Sequence, residues 1–119
     1  MAFNWKEFLE LSKFLQNCDE DCVSKETKLR SAISRAYFSA FCHARNYARD
    51  KEKYVPQMTA EDHKTLRQHF IFKKRMNIAN HLQDLRNWRN DCDYHDDVDN
   101  MDIMTNKSID KASNILRIC

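Results

Sequence analysis

The sequence predicts an all-α fold, a compact antiparallel bundle of four to five helices, on three observations. The chain has no Gly and one Pro, so the residues that most often punctuate sheets and turns are nearly absent. Apolar residues return at intervals of three and four over several long stretches, the period of one helix face rather than of a strand. Hydrophobic residues at 42% and charged residues at 32% of 119 positions suffice for one core but not two, which makes residues 1–119 a single domain.

Each element follows from its pattern. A first helix is expected over about residues 4–16, with Asn4 as N-cap and Trp5, Phe8, Leu9, Leu11 and Leu15 on its apolar face. The polar Cys18-Asp-Glu-Asp-Cys22 stretch ends it. The strongest pattern runs from about Lys25 to Asp50, where Leu29, Ile33, Tyr37, Phe41 and Ala44 form a stripe. Beside it Ala32, Ala36, Ala40, Ala44 and Ala48 stand one every fourth residue, a ridge of small side chains that lets another helix come close. After a turn at Pro56, Thr59 to Asp62 reads as a variant capping box opening a third helix through Phe72, with Leu66 and Phe70 inward. A fourth helix is expected from Met76, its stripe of Met76, Ala79, Leu82 and Leu85 fading between Trp88 and Cys92. The last runs over about residues 105–117, carrying Ile109, Ala112, Ile115 and Leu116.

Several classes are set aside. No apolar run approaches the roughly 18 to 20 residues of a membrane span, and MAFNWKEFLE has neither the basic nor the apolar region of a leader, so a cytoplasmic protein without a membrane partner is expected. Cys18, Cys22, Cys42, Cys92 and Cys119 are an odd, scattered set, read as reduced thiols. Cys18-x3-Cys22 alone is a poor zinc signal, the Asp-rich stretch lacks the ligand spacing of a calcium loop, and neither metal nor cofactor is expected. The net charge of +2 conceals an asymmetry: residues 27–90 carry fourteen Lys and Arg against five acids, while residues 91–119 carry three against seven. A basic middle of that size attracts a polyanion such as RNA, although a solvated helix surface has the same composition.

The candidate chemistry lies in Arg89-Asn-Asp-Cys-Asp-Tyr-His95. On a continuous helix Arg89 and His95 stand about 120° apart in azimuth and about 9 Å apart along the axis. Convergence on one phosphate needs the helix to end between them, or a two-fold partner to supply a second pair. The weak helix formers Asn90, Asp91, Asp93, Asp96 and Asp97 favour such an end. Imidazole takes and gives protons near neutral pH, so His95 suits general acid-base work on an RNA 2′-OH. The fork-shaped guanidinium of Arg89 suits a phosphate, Asn90 could orient it, and Tyr94 could stack on a base. Arg86, Lys73, Lys74 and Arg75 are candidates to extend the RNA contact. The plainer alternative pairs Arg89 with Asp93 at helical spacing and leaves His95 as a helix-end cation.

Two stretches together mark a resemblance. Ser34-Arg-Ala-Tyr-Phe-Ser-Ala-Phe41 resembles a segment of the long helix of HEPN domains (higher eukaryotes and prokaryotes nucleotide-binding), and Arg89-Asn90-x4-His95 resembles their Arg-x4-6-His motif. The resemblance covers most of the chain. It implies a helical bundle that dimerises so that Arg89, Asn90 and His95 of both copies line one cleft. It further implies a metal-independent endoribonuclease, a toxin or antiviral-defence effector, with a nucleotidyltransferase antitoxin as a partner. Some relatives with a segment like Asp93-Tyr94 are instead non-catalytic nucleotide- or partner-binding modules.

Overall fold

The computed structural model describes residues 3–119. Five helices account for most of them: α1 (Lys6–Asn17), α2 (Lys25–Glu52), α3 (Asp62–Phe72), α4 (Met76–Tyr94) and α5 (Met101–Ile118), with no strand among the described residues. The all-α bundle read from the sequence is the observed architecture.

Helix α2 is the axis of the molecule. Its 28 residues rise about 42 Å, which accounts for the 45 Å long dimension of the chain. Helices α1, α4 and α5 pack on it, α3 packs on α4, and α5 also meets α1 and α4. The alanine ridge explains how one helix hosts three neighbours: Ala32, Ala36, Ala40, Ala44 and Ala48 are each 0% exposed. Against this ridge and the Tyr37–Phe41 flank lie Leu9, Leu66, Phe70, Ile78, Leu82, Leu85, Ile109 and Ile115, a single core. Two buried serines join α1 to α2 through main-chain acceptors. Ser12 Oγ donates to the Ala32 carbonyl at 2.6 Å, and Ser39 Oγ donates to that of Trp5 at 2.8 Å.

Helix ends show where local chemistry differs from its first reading. The N-cap of α1 is Trp5 rather than Asn4, whose Oδ1 accepts from the Lys6 N–H at 3.2 Å one residue earlier, and Leu11 on the expected inner face is exposed. Ser24 caps α2 by accepting from the Thr27 N–H at 3.1 Å. The expected capping box at Thr59 is a turn instead, because Thr59 Oγ1 meets Glu61 and α3 begins at Asp62. Asp62 is 4% exposed, and its carboxylate accepts from the Tyr54 hydroxyl and the Gln57 N–H, tying down the preceding loop. Helix α4 runs on through Tyr94, and α5 starts at Met101 rather than near Thr105, entered through Asn100 at φ 58°. Without glycine, the left-handed positions fall to Lys53, Met58, Lys74 and Asn100. No helix of the described residues is long and apolar enough to cross a membrane.

The ridge makes α2 intolerant of volume. Ala40→Leu is expected to cost about 1–3 kcal/mol by forcing helices apart, seen as a lower urea midpoint with unchanged slope; a wild-type midpoint would show that nothing packs closely there.

Candidate functional site

The segment from Arg89 to His95 straddles the end of α4. Tyr94 is its last helical residue, and His95 turns extended at φ −106°, ψ 133° while its N–H still reaches the Asp91 carbonyl at 3.0 Å. The helix break, one of the two routes to convergence that the spacing leaves, is present between Tyr94 and His95.

A residue from α2 fixes this end. Arg30 Nη1 donates to the carbonyls of Cys92 at 2.8 Å and His95 at 2.7 Å, and its Nη2 donates to that of Asp96 at 2.8 Å. Carbonyls at a helix C-terminus have no partner within the helix, and one planar guanidinium satisfies three here. Nothing in the sequence marks Arg30 for this role, because its acceptors are main-chain atoms more than sixty residues away.

Arg89 lies on the other side of the same turn. Its guanidinium carbon stands 5.1 Å from the Phe38 ring centre, 5.8 Å from Tyr37 and 5.9 Å from Tyr94. Its Nε pairs with Asp93 Oδ2 at 2.7 Å, the ion pair that helical spacing offers. Asn90 Oδ1 accepts from Arg89 Nη1 at a long 3.4 Å. His95 is exposed, and its Nε2 is 3.9 Å from Asp91 Oδ1.

Within one chain, Arg89 and His95 face different surroundings. His95 borders a cavity of about 260 Å³ with Asp91, Asp97 and Asp99. Arg89 borders one of about 200 Å³ with Arg86, Tyr37, Phe38, Phe41 and His63. Tyr94 is 73% exposed beside Arg89, free to meet a ring from outside. Lys73, Lys74 and Arg75 lie at the far end of α4, about 20 Å from Arg89 along the axis. Lys73 and Lys74 are exposed next to Phe72, itself 82% exposed, whereas Arg75 is held by Glu52 at 3.2 Å and by the rings of Tyr47 and Phe70. Larger hollows of about 520 and 460 Å³ lie where the α1–α2 loop meets the first turn of α2 and between Asp84 and Lys111, where acids and bases balance. No group of three or more His, Cys, Asp or Glu among the described residues is arranged around a metal position.

His63 is the residue that the sequence reading passed over. It lies three and seven residues before Leu66 and Phe70, on the inward stripe of α3, and it is 5% exposed. The ring stacks on Phe41, and Nδ1 lies 3.1 Å from the Tyr37 hydroxyl. Burial above all, with Arg86 nearby, pushes the imidazole down to about 4, although the side-chain contact with Gln83 pulls the other way. Burial likewise pushes the Tyr37 phenol up to about 12 against the pull of Arg86 and Arg89. The phenol therefore keeps its proton beside a neutral imidazole, and one hydrogen bond joins the two groups. Cys92, inside the motif, is buried with its thiol pushed up to about 11, an inert group rather than a redox sensor.

No family model matches this chain, and no curated protein or solved structure matches it either.

Two outcomes follow from this geometry. Arg30→Met, which strands three carbonyls, is expected to cost about 1–3 kcal/mol and to speed amide exchange over residues 95–104; unchanged exchange there would show that solvent satisfies this end equally well. His63 protonates more readily unfolded than folded, so its contribution is fully present above pH 6.5 and is lost as pH falls towards 4. The loss should approach about 3 kcal/mol between pH 7.5 and 4 in urea titrations, and His63→Phe should remove that part of the pH dependence.

Proposed function

We propose that this protein is a metal-independent endoribonuclease of the toxin or antiviral-defence type, acting in the cytoplasm as a homodimer. The observation that carries the reading is the end of α4 inside the Arg89-to-His95 segment: it frees His95 from the helix while Arg89 stays on it. The resemblance of Ser34–Phe41 and Arg89–His95 to HEPN domains supports the same assignment.

The chemistry would proceed without a covalent enzyme intermediate. One imidazole, from His95, takes the proton of an RNA 2′-OH, and that oxygen attacks the adjacent phosphorus. The bond to the 5′ oxygen breaks, that oxygen takes up a proton, and the products are a 2′,3′-cyclic phosphate and a 5′-OH. Arg89 balances the charge that grows on the phosphate oxygens, with Asn90 beside it. Because Arg89 and His95 border different cavities in one protomer, the pair is completed by a second copy related by a two-fold axis. Arg86 and Tyr94 adjoin the same side, and exposed Lys73 and Lys74 beside Phe72 offer charge and a stacking surface further along the strand. A nucleotidyltransferase antitoxin is the partner that the resemblance suggests.

A second reading has its own support. Asp93 lies on Arg89, and Asp91, Asp97 and Asp99 surround His95, an arrangement that opposes a polyanion at the imidazole. In that reading the chain is a non-catalytic nucleotide- or partner-binding module working with a separate nucleotidyltransferase.

Purified protein incubated with total RNA in EDTA separates the two. The ribonuclease should yield 5′-OH ends and 2′,3′-cyclic phosphates, and Arg89→Ala and His95→Ala should each lower cleavage at least about a hundredfold, within the range for a lost acid-base or charge-stabilising group, with helical signal and dimer mass unchanged. Equal cleavage by both variants, or a monomer by light scattering, would sink the composite site.

A further inference from the structure

The turn between α3 and α4 presents apolar side chains and positive charge together at one end of the bundle. Phe72, the last residue of α3, is 82% exposed, and Ile71 and Met76 near it are exposed as well. Large apolar groups gathered in water at one place mark a surface that meets something else. The turn is also fixed. The N–H groups of Lys73, Lys74 and Arg75 donate to the carbonyls of His69, Ile71 and Phe70 at 3.0, 3.0 and 2.8 Å, and the Arg75 guanidinium is held by Glu52 at 3.2 Å. A turn already fixed with Phe72 in water has little freedom left to lose when a surface meets it.

Charge at this end is one-sided. Glu52 joins the end of α2 to the same turn, and its carboxylate is engaged by His69 at 3.1 Å and Arg75 at 3.2 Å. Asp50 is paired with Arg49. Lys51, Lys53, Lys73 and Lys74 are exposed, and none of them has an acidic partner among the described residues. The excess cations are thus all lysines, compact point charges without the planar fork that reads one particular carboxylate or phosphate. None of these side chains lines a hollow described above, so the patch projects rather than encloses.

We propose that this turn is a peripheral membrane contact: Phe72, with Ile71 and Met76, enters the headgroup region of an anionic bilayer while Lys51, Lys53, Lys73 and Lys74 meet the lipid phosphates. A bilayer offers hydrocarbon beneath a layer of negative charge, and attachment is stable when an apolar insertion and a basic cluster act together. The expectation of no membrane partner concerned spans and leaders, and a contact of this kind needs neither. RNA would engage the lysines and stack on Phe72, but the aliphatic Ile71 and Met76 gain only from a surface that withdraws them from water. The contact uses neither Arg89 nor His95, so it holds or fails independently of the ribonuclease reading.

Flotation of the full chain with lipid vesicles tests the assignment. Vesicles of equal parts phosphatidylcholine and phosphatidylglycerol should bind the protein at least about tenfold better than phosphatidylcholine alone, and added salt should weaken the attachment by screening the lysines. Lys73→Gln and Lys74→Gln should each weaken it about fivefold, the effect of one lysine at an anionic leaflet, and Phe72→Ala should weaken it about tenfold. Lys13→Gln and Phe14→Ala, exposed on α1 near the opposite end of α2, should leave it unchanged. Phe72→Trp should add an emission component that lipids brominated on the acyl chain quench; attachment without that quenching would keep the ring outside the bilayer and overturn the insertion. No flotation at millimolar anionic lipid, or equal flotation of the lysine and Phe72→Ala variants, would overturn the contact. A 2′-O-methyl RNA hexamer that binds less tightly to the lysine variants, with anionic vesicles binding no better than neutral ones, would assign the turn to RNA instead.

Discussion

Five alanines along one ridge of α2 set how near the other helices can come, and the remaining geometry follows from that distance. Side chains of one carbon let α1, α4 and α5 share a single helix as their floor. With α4 drawn in, Arg89 reaches the Tyr37 and Phe38 rings on the flank of the ridge, and Arg30 reaches the carbonyls at the end of α4. Larger residues on the ridge would separate both arginines from their partners before touching any residue of the site itself. The packing of α2 and the electrostatics of α4 are in this sense one arrangement.

The two sides of the α4 terminus differ in sign. On one, Arg86 and Arg89 meet aromatic rings and a buried neutral histidine. On the other, Asp91, Asp97 and Asp99 gather around His95, where the helix dipole already presents its negative end. Arg30 lies across the joint and occupies the main-chain acceptors, so that the charged side chains are left to whatever approaches from outside.

Much of the fold was legible because long helices advertise themselves by period. The stripe Leu29, Ile33, Tyr37 and Phe41 and the alanine row are buried as their spacing implies. What failed were boundaries governed by single side chains. The start of α5 moved to Met101 because Asn100 accepts a left-handed conformation that lets a helix begin inside an acidic stretch. Thr59 looked like a cap but closes a turn, since the Asp62 carboxylate is drawn inward by Tyr54. At the site, the end of α4 could be foreseen from its run of Asn and Asp, whereas the separate surroundings of Arg89 and His95 depend on which neighbour each meets across space. His63 left a readable trace at helical spacing from Leu66 and Phe70, one easily taken for an extension of the core; Arg30 left none.

The four left-handed residues at Lys53, Met58, Lys74 and Asn100 carry a consequence for the chain when it is not folded. A side chain at such a position strains the native turn by about 1–2 kcal/mol, yet it also narrows the backbone freedom of the denatured ensemble, which glycine would widen. A sequence without a single glycine therefore has less disorder to lose on folding at every one of its turns. At these four turns the gain of about 0.4–1 kcal/mol is smaller than the strain, so the restricted unfolded state offsets only part of what the left-handed residues cost.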